Sequence, residues 1–333
     1  FSDGTKDGGY VKANWEIYQA KENLSRISNK NQIEIMFFDG RGGPPARGGG
    51  KTHQFYASQG PTIANNEIQI TIQGQTITSM CGSRAQAMYN FEQLISAGII
   101  NDVFQDDRSI IDKKERNLID ELGEEGVRKY FELKEHPQFV SYLENKSPLK
   151  YYGLTNIGSR PSKRSSGKKL MLSDLRAIPF VGSWSQLKQN VPGFFGLGTA
   201  LKHFEEQNRW DEVSHLYQNS LFFRTLLENS MMALCKSFFP LTAYMKNDAE
   251  FGAFWTIIHD EYLETKRLLL KISGFKELME NYPDGKASIE MREKMVVPLL
   301  TIQQYALLKI KVLRESATPD EKLIAVYEKI VTR

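Results

Sequence analysis

Two arginines six residues apart, Arg41 and Arg47, stand between glycine runs in Asp39-Gly40-Arg41-Gly42-Gly43-Pro44-Pro45-Ala46-Arg47-Gly48-Gly49-Gly50-Lys51-Thr52-His53. Glycine lets backbone N–H groups turn toward one point without side chains in the way. Each guanidinium adds a fixed planar fork that matches a phosphate or a carboxylate. The composition predicts an anion site, and a phosphorylated anion suits it best. Gly50-Lys51-Thr52 imitates the end of a P-loop, but Pro45 stands where that motif needs its first glycine. Proline also removes a donor there. A second basic stretch is Gly158-Ser159-Arg160-Pro161-Ser162-Lys163-Arg164, followed by Leu175-Arg176-Ala177-Ile178-Pro179. A third polar segment opens the chain: Ser2-Asp3-Gly4-Thr5-Lys6-Asp7-Gly8-Gly9.

The elements that must carry these segments follow from periodicity. Ile33–Phe38 reads as an apolar strand that feeds the glycine–arginine loop. Glu67–Ile72 alternates with period two and reads as a second strand ending at Gln73-Gly74. Leu175–Val181 reads as a short buried strand. Residues 1–9 read as a turn, and a helix is expected over Tyr10–Ser28 with Trp15, Ile17, Tyr18, Leu24 and Ile27 on one side. A helix is expected over 83–97, carrying Ala87, Met88, Phe91, Leu94 and Ile95, and a charged helical stretch over 106–147 with a break near His136-Pro137. Beyond Pro192 the pattern is helical, over 197–208, 210–246, 250–272, 286–315 and 319–333. Strands alternating with helices and then a helical mass predict an α/β, predominantly helical fold. The expectation is part of a (β/α)8 TIM-type barrel over 1–190, with functional loops at strand ends, and a large α-helical region over 191–333.

Composition narrows the function classes. The chain has 333 residues, 41% of them hydrophobic, enough for a real core. A net charge of +3 gives no bulk attraction to nucleic acid. The basic run 160–169 lacks the aromatic interleaving of a nucleic-acid reader, so no nucleic-acid partner is expected. Cys81 and Cys235 are far apart, which fits a reducing, cytoplasmic setting. No uninterrupted apolar run approaches the length of a membrane span, so no membrane partner is expected. The chain opens on Phe1 and keeps helical apolar spacing to Arg333, which reads as a piece of a longer protein.

Taken in order, the three basic and acidic segments closely resemble the C-terminal half of phosphoenolpyruvate carboxylase, bacterial type. Thr71-Ile72-Gln73-Gly74, Ala20-Lys21-Glu22 and Leu268-Leu269-Leu270-Lys271-Ile272-Ser273-Gly274 add smaller matches. The resemblance implies carboxylation of phosphoenolpyruvate by bicarbonate, giving oxaloacetate and phosphate, with Mg²⁺ or Mn²⁺. It implies attack of bicarbonate on the phosphoryl group, release of CO₂ from carboxyphosphate in a closed site, and capture by the pyruvate enolate. It makes Asp3 a metal ligand, and Lys6, Arg41, Arg47, Arg160 and Arg176 catalytic-site cations that meet the anionic substrates. It assigns Lys236, Arg292 and the shared Arg47 to an aspartate effector site, and it implies a homotetramer for the full-length enzyme.

Departures from the family pattern are local. Asp39 stands where a histidine is usual, Ala46 replaces a common glycine, and Gln75 replaces a frequent glutamate. A carboxylate at 39 must either lie outside the anion site or pair with an arginine. None of His53, His136, His203, His215 and His259 sits in a segment matching the family's catalytic histidine. The 333 residues alone are therefore expected to lack carboxylase activity. Two other readings compete: another phosphoenolpyruvate- or pyruvate-using barrel phosphotransferase, and a non-enzymatic helical interaction module. The paired glycine–arginine loop speaks against the first and the strand-end loops against the second.

Overall fold

The computed structural model describes residues 1–64, 67–71, 74–99, 103, 108, 110–154, 172 and 175–332. In chain order its elements are α1 (Ser2–Gly8), α2 (Tyr10–Lys30), β1 (Phe37–Asp39), α3 (Thr52–Ala57), β2 (Ile68–Ile70), α4 (Gly74–Cys81), α5 (Arg84–Ile99), α6 (Lys113–Glu135) and α7 (Phe139–Lys146). There follow α8 (Ala177–Gln186), α9 (Leu197–Glu206), α10 (Trp210–Asn219), α11 (Leu221–Cys235), α12 (Gly252–Ser273), α13 (Pro283–Glu315) and α14 (Glu321–Thr332). The class is predominantly helical, as expected. Among the described residues the sheet is β1 paired parallel with β2, Phe37 opposite Ile68 and Asp39 opposite Ile70. A barrel is not shown.

The chain divides into two compact units, one of 1–131, 192–233 and 261–278, the other of 132–191, 234–260 and 279–333. In the first, α2 buries Asn14, Trp15, Tyr18, Lys21, Ser25 and Ser28, a stripe at helical spacing. Trp15 stacks on Tyr18 at 5.3 Å, and Tyr18 meets Phe222 of α11 at 4.6 Å. The Trp15 indole N–H donates to Asp120 of α6 at 2.6 Å, so the ring is buried with its polar edge satisfied. Leu24 and Ile27, expected on this face, are 48% and 49% exposed because they fall outside the 14–18–21–25 stripe. Most of the expected α5 face is exposed too: Met88, Phe91 and Ile95 lie outward, while Ala97 is buried against Phe55 and Tyr56. A buried carboxylate closes the start of α9: Glu261 Oε1 accepts the Gly196 and Thr199 N–H groups at 3.0 Å each. Burial pushes the Glu261 carboxyl up.

The second unit is built on rings. Tyr142 packs on Trp184, Phe251 and Phe254 at 6.1, 5.8 and 5.0 Å. Gln189 donates to Tyr142 Oη at 2.8 Å and to Thr242 Oγ1 at 3.2 Å, and the Trp255 indole N–H donates to the same Thr242 oxygen. This pairs the polar atoms of Tyr142 and Trp255, while the buried Trp184 Nε1 has no hydrogen-bond partner among the described residues. Ala306 and Ile310 of α13 pack with Ile324 and Val331 of α14. By length and composition α13 could cross a membrane, with mean hydropathy 1.3 over 18 residues, which the reading of uninterrupted apolar runs did not register. Two of its central amides are hydrogen-bonded within the unit: Gln303 donates to Gln186 Oε1, and Gln304 donates to the Lys146 carbonyl.

Several local expectations are corrected. Residues 2–8 form a helix rather than a turn, since Gly9, at φ 77°, takes the left-handed break that ends α1 and lets α2 begin. The first two strands are shorter than read, and Ile33, Met36 and Phe38 are exposed. Ala177–Gln186 is a helix, not a strand. Pro179 falls in its first turn, where no intrahelical donor is required, and Phe180, Val181 and Trp184 recur at helical spacing.

Candidate functional site

The glycine–arginine loop is a closed knot rather than an open cradle. Arg47 N and Gly49 N donate to the Pro44 carbonyl, Gly48 N to Pro45 O and Gly50 N to Gly43 O, all at 2.8–3.0 Å. These four amides satisfy the loop itself, so they are not free to form part of the expected N–H nest. Gly49 is required by close approach: a Cβ there would lie 1.9 Å from the Gly42 carbonyl oxygen. The knot is tied to neighbouring helices. Tyr10 Oη donates to Gly49 O at 3.2 Å and accepts from Asn229 Nδ2 at 2.9 Å, while Asn229 Oδ1 accepts the Lys51 N–H. Burial raises the Tyr10 phenol to about 12, so it stays a neutral donor.

Arg41 is 7% exposed, and its guanidinium carbon lies over hydrophobic rings, 3.8 Å from the Phe55 centroid and 5.8 Å from that of Phe1. Its Nε and Nη2 are buried and find no hydrogen-bond partner among the described residues. Native interiors pair such donors almost without exception, so two orphans on one cation mark a place for an acceptor. Burial pulls the guanidinium below its usual value, and Tyr10, Tyr56 and Asp39 act in the opposite sense. Arg47 is half-buried on the same loop, and its Nε donates to Ser2 Oγ of α1 at 3.3 Å. The first unit thus brings Arg41 and Arg47 to the start of α1, through Phe1 and Ser2.

Asp3 lies exposed in the first turn of α1. Lys6, one turn on, is buried, with Nζ 2.9 Å from Asp7 Oδ1 and its carbonyl accepting from Tyr130 Oη. Among the described residues no group of three or more His, Cys, Asp or Glu could hold a metal ion. A hard divalent cation takes about six or more oxygens, so Asp3 offers one ligand and these residues do not form a metal site alone.

Asp39 is the residue that sequence reasoning left unresolved. Its Oδ2 accepts from Lys21 Nζ of α2 and from Tyr56 Oη of α3, each at 2.7 Å, and all three are buried. It pairs with a lysine, not an arginine. Neither Lys21 nor Tyr56 was singled out as a site residue, nor was Phe55. The visible signal was an acidic residue inside a basic loop, which demanded a buried cation somewhere.

In the second unit, Arg176 is the N-cap residue of α8, and its buried Nε has no hydrogen-bond partner among the described residues. Arg160 and the basic run 160–169 lie outside the described residues, as do Ile72 and Gln73 of the smaller motif. Lys236 is half-buried and its ammonium is pushed down to about 8, by burial first and then by Arg292 and Lys188. Lys188 pairs with Glu293 at 2.6 Å, and exposed Arg292 donates to Ser288 Oγ at 3.0 Å. These groups make a cationic cluster within this unit; Arg47, assigned with them from sequence, belongs to the other.

The family model described as phosphoenolpyruvate carboxylase matches residues 1–331. A phosphoenolpyruvate carboxylase of Corynebacterium diphtheriae is 34% identical over 316 residues, 91% of this chain and 35% of that protein. One of Corynebacterium glutamicum is 32% identical over 313 residues, 91% of this chain and 34% of that protein. The chain spans about a third of the length of these curated relatives.

Proposed function

This chain belongs to the phosphoenolpyruvate carboxylase family, and on that premise we propose that it supplies an arginine-rich part of an enzyme that joins phosphoenolpyruvate and bicarbonate into oxaloacetate and phosphate. The observation that carries the reading is Arg41, buried on an aromatic seat with two unclaimed donors. A fixed guanidinium of that kind suits an oxyanion whose charge grows during reaction, because the donors are already aimed and no water need be rearranged. Arg41 binds phosphoryl or bicarbonate oxygens, and Arg47 of the same loop holds a second set. Lys6, buried in α1, steadies negative charge developing on the three-carbon unit. Arg160 and Arg176 take part in the same chemistry by resemblance, and the orphan Arg176 Nε is consistent with an acceptor for that arginine.

The divalent ion, Mg²⁺ or Mn²⁺, is proposed to take Asp3 as one oxygen ligand and the rest from parts of the enzyme outside this chain. In the second unit the depressed Lys236 with Arg292 suits an acidic effector such as aspartate, since a carboxylate would relieve the crowding of cations. The full-length enzyme is proposed to be a cytoplasmic homotetramer under allosteric control that feeds oxaloacetate to the tricarboxylic acid cycle. The test is release of phosphate from phosphoenolpyruvate by the intact gene product. Release that requires both bicarbonate and a divalent metal is the expected result; release without bicarbonate would point to a phosphatase or phosphotransferase.

A further inference from the structure

We propose that Lys21 and Tyr56 hold the Asp39 carboxylate away from Arg41, which keeps that guanidinium open to its anion. The inference rests on the reading of Arg41 as an anion receptor. Asp39 precedes Arg41 by two residues and is 2% exposed. A buried carboxylate within electrostatic reach of a buried guanidinium is its natural partner, and a bidentate pair would consume the fork. The structure shows otherwise. Asp39 Oδ2 accepts from Lys21 Nζ and Tyr56 Oη at 2.7 Å each, while Arg41 Nε and Nη2 remain without a partner among the described residues. Asp39 is nonetheless near enough for its charge to bear on Arg41.

Geometry supports a division of labour around one ring. Arg41 rests on Phe55 at 3.8 Å, and Lys21 Nζ lies 5.6 Å from the same ring and 5.0 Å from that of Phe37. Two cations on one ring would repel each other, and the carboxylate bonded to Lys21 offsets that repulsion. Without the ammonium, the buried carboxylate would be left uncompensated with the Arg41 guanidinium in reach. An uncompensated buried charge is strongly unfavourable, so Asp39 would turn to Arg41. Asp39 and Lys21 are therefore positioning residues; neither needs to touch the substrate.

The test uses the chain labelled with ¹⁵N at arginine, with the Arg41 Nε–H resonance assigned by its loss in Arg41→Lys. Without ligand, Lys21→Met should move that resonance to a carboxylate-paired position, and Lys21→Met with Asp39→Asn should return it to the wild-type position. Titration with inorganic phosphate should shift the resonance in wild type and in the double variant. In Lys21→Met, at least about tenfold more phosphate should be needed, the scale of one charge-assisted pair. Tyr56→Phe, which keeps the ammonium, should give a smaller displacement and serves if Lys21→Met does not fold by circular dichroism. A ligand-free resonance that stays at the wild-type position in folded Lys21→Met and Tyr56→Phe overturns the proposal, as does a double variant that stays displaced. A wild-type resonance indifferent to phosphate would overturn the anion-receptor reading instead, while the ligand-free spectra still decide where Asp39 turns.

Discussion

Arg41 sets stability against function. Its two unmade hydrogen bonds cost more than its stacking on Phe55 returns, since buried unpaired donors cost about 1–3 kcal/mol each and a desolvated cation–π contact contributes about 2. Arg41→Met should therefore raise unfolding stability in urea by about 1–2 kcal/mol and abolish the response to phosphate. Lys236 makes a similar case with a pH signature. Its folded value is about 8 against an ordinary 10.5, so between these pH values the unfolded chain holds more protons and stability rises with pH. Lys236→Met should be more stable than wild type at pH 7 and should flatten the rise between pH 8 and 10.5, measured by chemical denaturation across pH. Binding of an acidic effector should weaken as pH climbs through 8, because the charged ammonium is the binding form.

At the scale of elements, the loop knot and the α2 seam are the parts most sensitive to substitution. Gly49→Ala would force a methyl group into the Gly42 carbonyl, and a loss of more than about 2 kcal/mol is expected in thermal denaturation. Phe222→Ala would empty the space beside Trp15 and Tyr18, with an expected loss of about 3–5 kcal/mol. Long periodic helices were legible from sequence: α2, α5, α12 and α13 fall where spacing put them. Leu175–Val181 misled because a short apolar run has no period of its own, and only Trp184 beyond it completes the helical repeat. The loop arginines were visible as chemistry, but their aromatic seat was not. Phe55 lies fourteen residues past Arg41, and nothing local ties the two together. Lys21 and Asp39 were equally hidden, being paired only by tertiary packing.

At the scale of the whole molecule, the chain spans about a third of the length of its curated relatives. The purified 333-residue chain should form no oxaloacetate from phosphoenolpyruvate, bicarbonate and Mg²⁺ in a coupled reductive assay. Its described residues assemble no divalent-metal centre. The loop should nonetheless hold its shape in that chain. Six glycines in the eleven residues 40–50 suggest amide protons lost to heavy water almost at once. Yet the N–H groups of Arg47, Gly48, Gly49 and Gly50 point inward to carbonyls, and Tyr10 and Asn229 suture the turn to α2 and α11. Deuterium uptake at these four amides should be as slow as in the core of α2, so that the most glycine-rich stretch of the chain opens only when its surroundings unfold.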